Sequence, residues 1–288
     1  MIAIYKREVK SYFTSMIGCI FVAFMVAITG IYFMVYNLNM GYPYFAYVLS
    51  GILFVFLIAI PILTMKCFAE DRKNKTDQLL LTAPVSLSKI VLGKYLAMAT
   101  VLLIPSLIYC LFPLIIKLQG SAHLLIDYMS ILAFFLLGCV YISIGMFISA
   151  LTESQIIAAI GTFGILFILF MWKGLLQYLP TSALSGAVGI VIIITVIALI
   201  IYQVTKNWII SAILELAGVV GCAIIYVAKP SMLESALTNI LGKFALADVF
   251  TNFATNYLFD INGLILYLSI IAVFIFMTVQ TLQKRRWS

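Results

Sequence analysis

The run Tyr128-Met-Ser-Ile-Leu-Ala-Phe-Phe-Leu-Leu-Gly-Cys-Val-Tyr-Ile-Ser-Ile-Gly-Met-Phe-Ile-Ser-Ala-Leu151 holds 24 residues and no charge. A membrane-spanning helix needs roughly 20 mostly apolar residues, so this stretch reads as a span and decides the fold. The pattern repeats on both sides of it. Met16–Tyr36, Tyr47–Met65, Tyr95–Ile116, Ile156–Trp172, Leu184–Tyr202, Trp208–Ala228 and Asn262–Leu282 are runs of the same kind, which makes eight spans in all. No small-residue cleavage site follows the first run, and it is too long for a signal-peptide core, so it reads as retained.

Composition agrees. The chain has 288 residues, 65% hydrophobic and 9% charged, with a mean hydropathy of +1.21, values that exclude a water-soluble globular domain. A β-barrel would show alternating segments of about 10 residues instead of long unbroken apolar runs. The expectation is an all-α polytopic membrane protein forming one transmembrane domain over residues 1–288. Five cysteines, Cys19, Cys67, Cys110, Cys139 and Cys222, lie in or at the ends of apolar segments with no CxxC pair, and read as free buried thiols. With His123 the only histidine, no metal-binding set is expected.

Lys and Arg fix the orientation. Alternate loops divide the 17 basic residues into 13 on one side and 4 (Lys117, Lys173, Lys229 and Lys243) on the other. Cytoplasmic loops carry the excess, so both termini and the segment 66–94 are expected in the cytoplasm. The net charge of +7 then reports topology, and no nucleic-acid partner is expected.

Three segments outside the spans carry information. In residues 1–15, Ile2, Tyr5, Val9, Tyr12 and Phe13 recur at helical spacing among charges, as in an interfacial helix along the inner leaflet. In Phe68-Ala-Glu-Asp-Arg-Lys-Asn-Lys-Thr-Asp-Gln-Leu-Leu-Leu-Thr-Ala-Pro84 a charge run meets an apolar triplet. Thr76 is placed to N-cap a short helix that Pro84 ends. Leu79, Leu80 and Leu81 presented to the cytosol suggest a protein partner, although they could instead fold back onto the spans. In residues 229–261, Leu237, Ile240, Leu241 and Phe244 continue a stripe from Met232, and Phe250 and Phe253 belong to a second one. The reading there is a re-entrant hairpin able to close a pathway from the outer side, the alternative being two helices that float on the outer surface. Glu215 is the clear intramembrane carboxylate, read as extended to the interface or hydrogen-bonded to a neighbouring helix, the alternative being a direct substrate or gating role. No GxxxxGK[ST] loop occurs, so ATP is not bound by a phosphate loop of this chain.

These residues resemble the permease subunits of ABC-2 type transporters, in particular the gliding-motility and nitrous-oxide-reductase maturation group. The resemblance rests on Lys6-Arg-Glu-Val-Lys-Ser-Tyr-Phe13, Ile60-Pro-Ile-Leu-Thr-Met-Lys66 leading to Glu70, Thr76-Asp-Gln-Leu-Leu-Leu-Thr-Ala-Pro-Val85 followed by Gly93-Lys94, Gly145-Met-Phe-Ile-Ser-Ala-Leu151, and the end Tyr267 to Trp287. It implies a six-helix core that dimerises, with itself or a second permease chain, in the bacterial cytoplasmic membrane. Separate ATPase subunits would carry the ATP and Mg, with no cofactor in this chain, and transport would be export. Coupling to the ATPase would fall to Glu70, Asp71, Arg72, Thr76, Leu79, Leu80, Leu81 and Pro84. The outer gate would be built from Leu237, Ile240, Leu241, Phe244, Phe250 and Phe253. Two departures stand out: Ser15-Met16 replaces a frequent Ser-Pro, and residues 184–228 add a helix pair to the six. The competing functions are an ion-coupled carrier, which needs several intramembrane charges, and an intramembrane lipid-modifying enzyme, which needs a polar catalytic constellation.

Overall fold

A computed structural model describes residues 1–77, 85–120, 122–180, 182–205, 208–228, 234–254 and 261–287. Those residues form helices joined by short turns, with no strand among them. The backbone donors and acceptors of a span must be satisfied within the chain when lipid surrounds it, which is why apolar runs of this length become helices. Helix α1 spans Ile2–Thr14, α2 Ile17–Phe33 with a π-helical turn Met34–Asn39, α3 Ala46–Gly51, α4 Leu53–Thr64 and α5 Ala69–Lys73. Beyond the residues left undescribed come α6 Leu87–Tyr109, α7 Phe112–Gln119, α8 Leu124–Leu151 and α9 Gln155–Leu176. The chain continues through α10 Ala183–Thr205, α11 Trp208–Ala228, α12 Ala236–Gly242, α13 Leu246–Ala254 and α14 Ile261–Trp287.

Six helices among the described residues are long and apolar enough to cross a membrane: 17–39, 53–73, 87–118, 124–151, 155–176 and 261–286. Helices α10 and α11, of 23 and 21 residues, stand where the additional pair was read in the sequence. Two compact units result, Met1–Phe170 with Leu246–Ser288, and Met171–Ala245. The pair belongs to the second unit, whereas the charged segments lie in the first.

At the centre of the first unit is α8, which packs against α4, α6, α13 and α14. Gly138 and Gly145 permit the approach. A Cβ on Gly138 would sit 2.5 Å from Leu102 Cδ2 and Phe56 Cζ, and one on Gly145 would strike Thr64 Oγ1 and come within 2.9 Å of its Cβ. Around these contacts Phe56 and Phe134 stack at 4.3 Å, Phe250 meets Phe134 edge-on at 5.9 Å, and Tyr109 donates to Met25 O at 3.2 Å. The interior of this unit is therefore filled with large side chains.

The third apolar run has helix before it. Hydropathy starts the run at Tyr95, but α6 begins at Leu87. The charges of Lys89 and Lys94 mask its first two turns in the sequence. The turn from α1 into α2 places Met16 at φ 59°, in the left-handed region. Proline, fixed near φ −65°, cannot occupy that conformation, so the turn differs in kind from a Ser-Pro turn.

Candidate functional site

Most basic and acidic residues of the first unit gather at one pole, where α1, α5, α6, α8 and α14 end or begin. At its centre is Lys94, only 2% exposed. Its Nζ pairs with Asp71 Oδ2 at 2.8 Å and Glu8 Oε1 at 3.2 Å and donates to Cys67 O at 2.7 Å, while the Phe68 ring lies 5.2 Å away. One ammonium thus ties α1, α5 and α6 together. Gly93 lets α1 come close enough for this, because a Cβ there would be 3.2 Å from Ile4 Cγ2. The apolar face of α1 lies along α6, where Tyr5 and Thr100 share a hydrogen bond of 3.0 Å, and Tyr12 donates to Leu63 O of α4 at 3.2 Å. Burial pushes the Tyr12 phenol well above its ordinary pKa, which keeps it protonated for that bond. Ile2–Thr14 is therefore a helix packed on α6 and α4.

From the opposite side the segment after α4 is held by Ser149 of α8. Its Oγ accepts from the Phe68 and Ala69 amides at 3.1 and 3.2 Å and donates to Met65 O at 3.2 Å. The first amides of α5 are thereby capped by a residue distant in sequence. Farther along, Arg285 of α14 pairs with Asp77 at 3.3 Å and Glu153 at 2.9 Å.

The residues read as coupling elements divide accordingly. Glu70 faces outward and pairs with Lys66 at 3.7 Å. Asp71 is turned toward Lys94, and Arg72 is buried at 8% exposure. The Thr76 hydroxyl lies 3.2 Å from Asp71 O and 3.1 Å from Asp71 Oδ1, directed back toward α5. Leu79, Leu80, Leu81 and Pro84 lie outside the described residues.

At the other pole Asp127 accepts the Phe45 amide at 2.8 Å, and His123 stacks on Tyr44 at 4.7 Å. Two of the six residues read as an outer gate, Phe250 and Phe253, are buried in α13, which packs on α3 and α8 and is held by Tyr267, whose hydroxyl donates to Leu246 O at 2.6 Å. In the second unit, Leu237 of α12 packs on Gly189, and Leu241 O accepts the Trp172 indole N–H at 2.8 Å. Phe244 is exposed, while Ile240 lies on α12 with its side chain outside the description. Glu215 meets a neighbouring helix: its Oε1 is 3.3 Å from Thr195 Oγ1.

A profile of the ABC-2 family transporter proteins matches residues 2–285. The chain belongs to the ABC-2 transporter family. No curated protein and no solved structure matches it. As an ABC-2 chain it is a multi-pass membrane protein and a permease component of an ABC transporter rather than an enzyme. Membership also implies association with ABC ATPase subunits.

Two residues of this ABC-2 chain that sequence reasoning passed over now stand out, Lys94 and Ser149. Both lie in stretches that carry the family resemblance, Gly93-Lys94 and Gly145 to Leu151. Glycine immediately before a lysine at the start of a span was the available signal. It marks close helix approach beside a charge that must find carboxylates.

Proposed function

We propose that this chain is the membrane half of an ATP-driven exporter, two permease chains working with two separate ATPase subunits in the bacterial cytoplasmic membrane. Both termini would face the cytoplasm, and ATP and Mg would bind only on the partner. The observation that carries the reading is the anchoring of segment 66–77. Lys94, Glu8 and Ser149 tie it to α1, α6 and α8, so a push on the adjoining residues 78–84 by a closing ATPase would reach several spans at once.

The filled interior of the first unit supports a pathway shared between two permease chains. Tyr109, Phe134, Tyr141 and Phe250, each less than 2% exposed, fill its interior. Substrate would then move between chains or along a lateral face, with α13 of this unit contributing to the outer gate.

Docking provides the test. Leu79 and Leu80 would supply buried area to an ATPase groove, and burying a leucine contributes about 1.5 to 3 kcal/mol. Replacing both by serine should weaken association more than about tenfold, since 1.4 kcal/mol corresponds to a factor of ten. The protein should still insert normally. A Leu79→Ser/Leu80→Ser protein that co-purifies with its ATPase and transports at the wild-type rate would remove the docking role of residues 78–84.

A further inference from the structure

A cleft of about 660 Å³ opens beside α5, lined by Arg72, Ala150, Leu151, Glu153, Thr281, Lys284 and Arg285. Three of these residues are cations and one is a carboxylate. Arg285 already spends its guanidinium on Asp77 and Glu153. Arg72 is 8% exposed, its Nε is buried without a hydrogen-bond partner, and no acidic group bonds it among the described residues. Burial opposes its charge and the neighbouring Arg285 repels it, while the nearby carboxylates of Asp77 and Glu153 compensate only in part, since both are bonded to Arg285. Lys284 likewise has no ion-pair partner among the described residues, although it stands on the same cleft.

Position points to the class of anion that fits the remaining positive charge. Three spans, 53–73, 124–151 and 261–286, end at this cleft. It therefore lies at the level of lipid headgroups. Its wall passes from the cations to Ala150 and to Leu151, which is 57% exposed. A ligand charged at one end and aliphatic at the other fits that gradient, and basic pockets between spans are places where anionic headgroups bind.

We propose that this cleft holds the phosphate of an anionic phospholipid, with Arg72 and Lys284 binding the phosphate oxygens and Leu151 contacting an acyl chain. The inference goes beyond the transport reading and does not rest on it.

Native mass spectrometry of the full chain, released from detergent after incubation with phosphatidylglycerol or phosphatidylcholine, is the test. Phosphatidylglycerol should be retained preferentially. Arg72→Gln and Lys284→Gln should each reduce its retention about tenfold or more, the scale of a lost charge-assisted hydrogen bond. Lys66→Gln, away from the cleft, should retain it as wild type does. Lys284 is exposed at a helix end, so its variant reports binding even where Arg72→Gln impairs folding. Equal retention of the two lipids, or unchanged phosphatidylglycerol retention in Lys284→Gln, overturns the proposal. Thermal stabilisation by millimolar inorganic phosphate with no lipid retained would overturn the lipid source. Intact lipid retention with lost ATPase co-purification in Lys284→Gln would make the cleft a protein-docking surface instead and equally overturn it.

Discussion

Lys94 shows how a charge enters a helix that spans a membrane. Taking an ammonium out of water costs several kcal/mol unless partners compensate it, and two carboxylates with one carbonyl do so here. Glu8 and Asp71 are themselves largely buried, with side chains 13% and 21% exposed. The penalty of breaking the cluster then comes chiefly from whichever charge is orphaned. Lys94→Met should destabilise the protein by about 3 to 5 kcal/mol, the range for removing one partner of a buried pair. The triple change Lys94→Met, Glu8→Gln, Asp71→Asn should recover much of that loss, because it leaves no unpaired charge. Unfolding midpoints in detergent measure both. A triple variant less stable than the single one would mean that the ion pairs themselves, and not the avoidance of orphaned charge, hold α1 on α5 and α6.

Between elements, one face of α8 sets the geometry of the charged pole. Gly145 brings α8 against α4 at Thr64, and one turn later Ser149 reaches the amides of Phe68 and Ala69. Ser149→Ala would leave those donors without a partner at a cost of about 1 to 3 kcal/mol, confined to α5 and its neighbours. Hydrogen exchange read by mass spectrometry should therefore speed up in a peptide covering residues 66–77 while the centre of α8 stays protected. Unchanged exchange at Phe68 and Ala69 would show that the amides find other acceptors. The sequence carried α4, α6 and α8 in plain view, because unbroken apolar runs have only helical solutions in lipid. It did not carry the role of Ser149: a lone serine near the end of a span reads as a tolerated small residue until the carbonyl and amides it serves, 80 and more residues away, are placed beside it. The start of α6 was hidden for the opposite reason, since Lys94 looked like a loop charge when its partners were unknown.

At the scale of the whole chain, charge separates the poles of the first unit. Glu8 from the N-terminal helix and Arg285 from the C-terminal helix both converge on segment 71–77, through Lys94 and directly through Asp77. Both ends of the chain therefore lie on one side of this unit. The partition of basic residues indicates which side that is. The residues with 13 Lys and Arg on their side include Lys6 and Lys284, whereas Lys117 belongs to the sparse set, and under the proposed function the bias toward positive cytoplasmic loops would put the first group inside. An even number of spans, six in the core or eight with α10 and α11, preserves this arrangement, and an odd number breaks it. Single cysteines can read the difference in intact cells treated with a membrane-impermeant maleimide, the wild type giving the background from its own thiols. Lys6→Cys and Lys284→Cys should react only after the cells are opened, and Lys117→Cys should react from outside. Labelling of Lys284→Cys in intact cells, with Lys6→Cys still protected, would require an odd number of crossings between them and would detach the C-terminal helix from the charged pole.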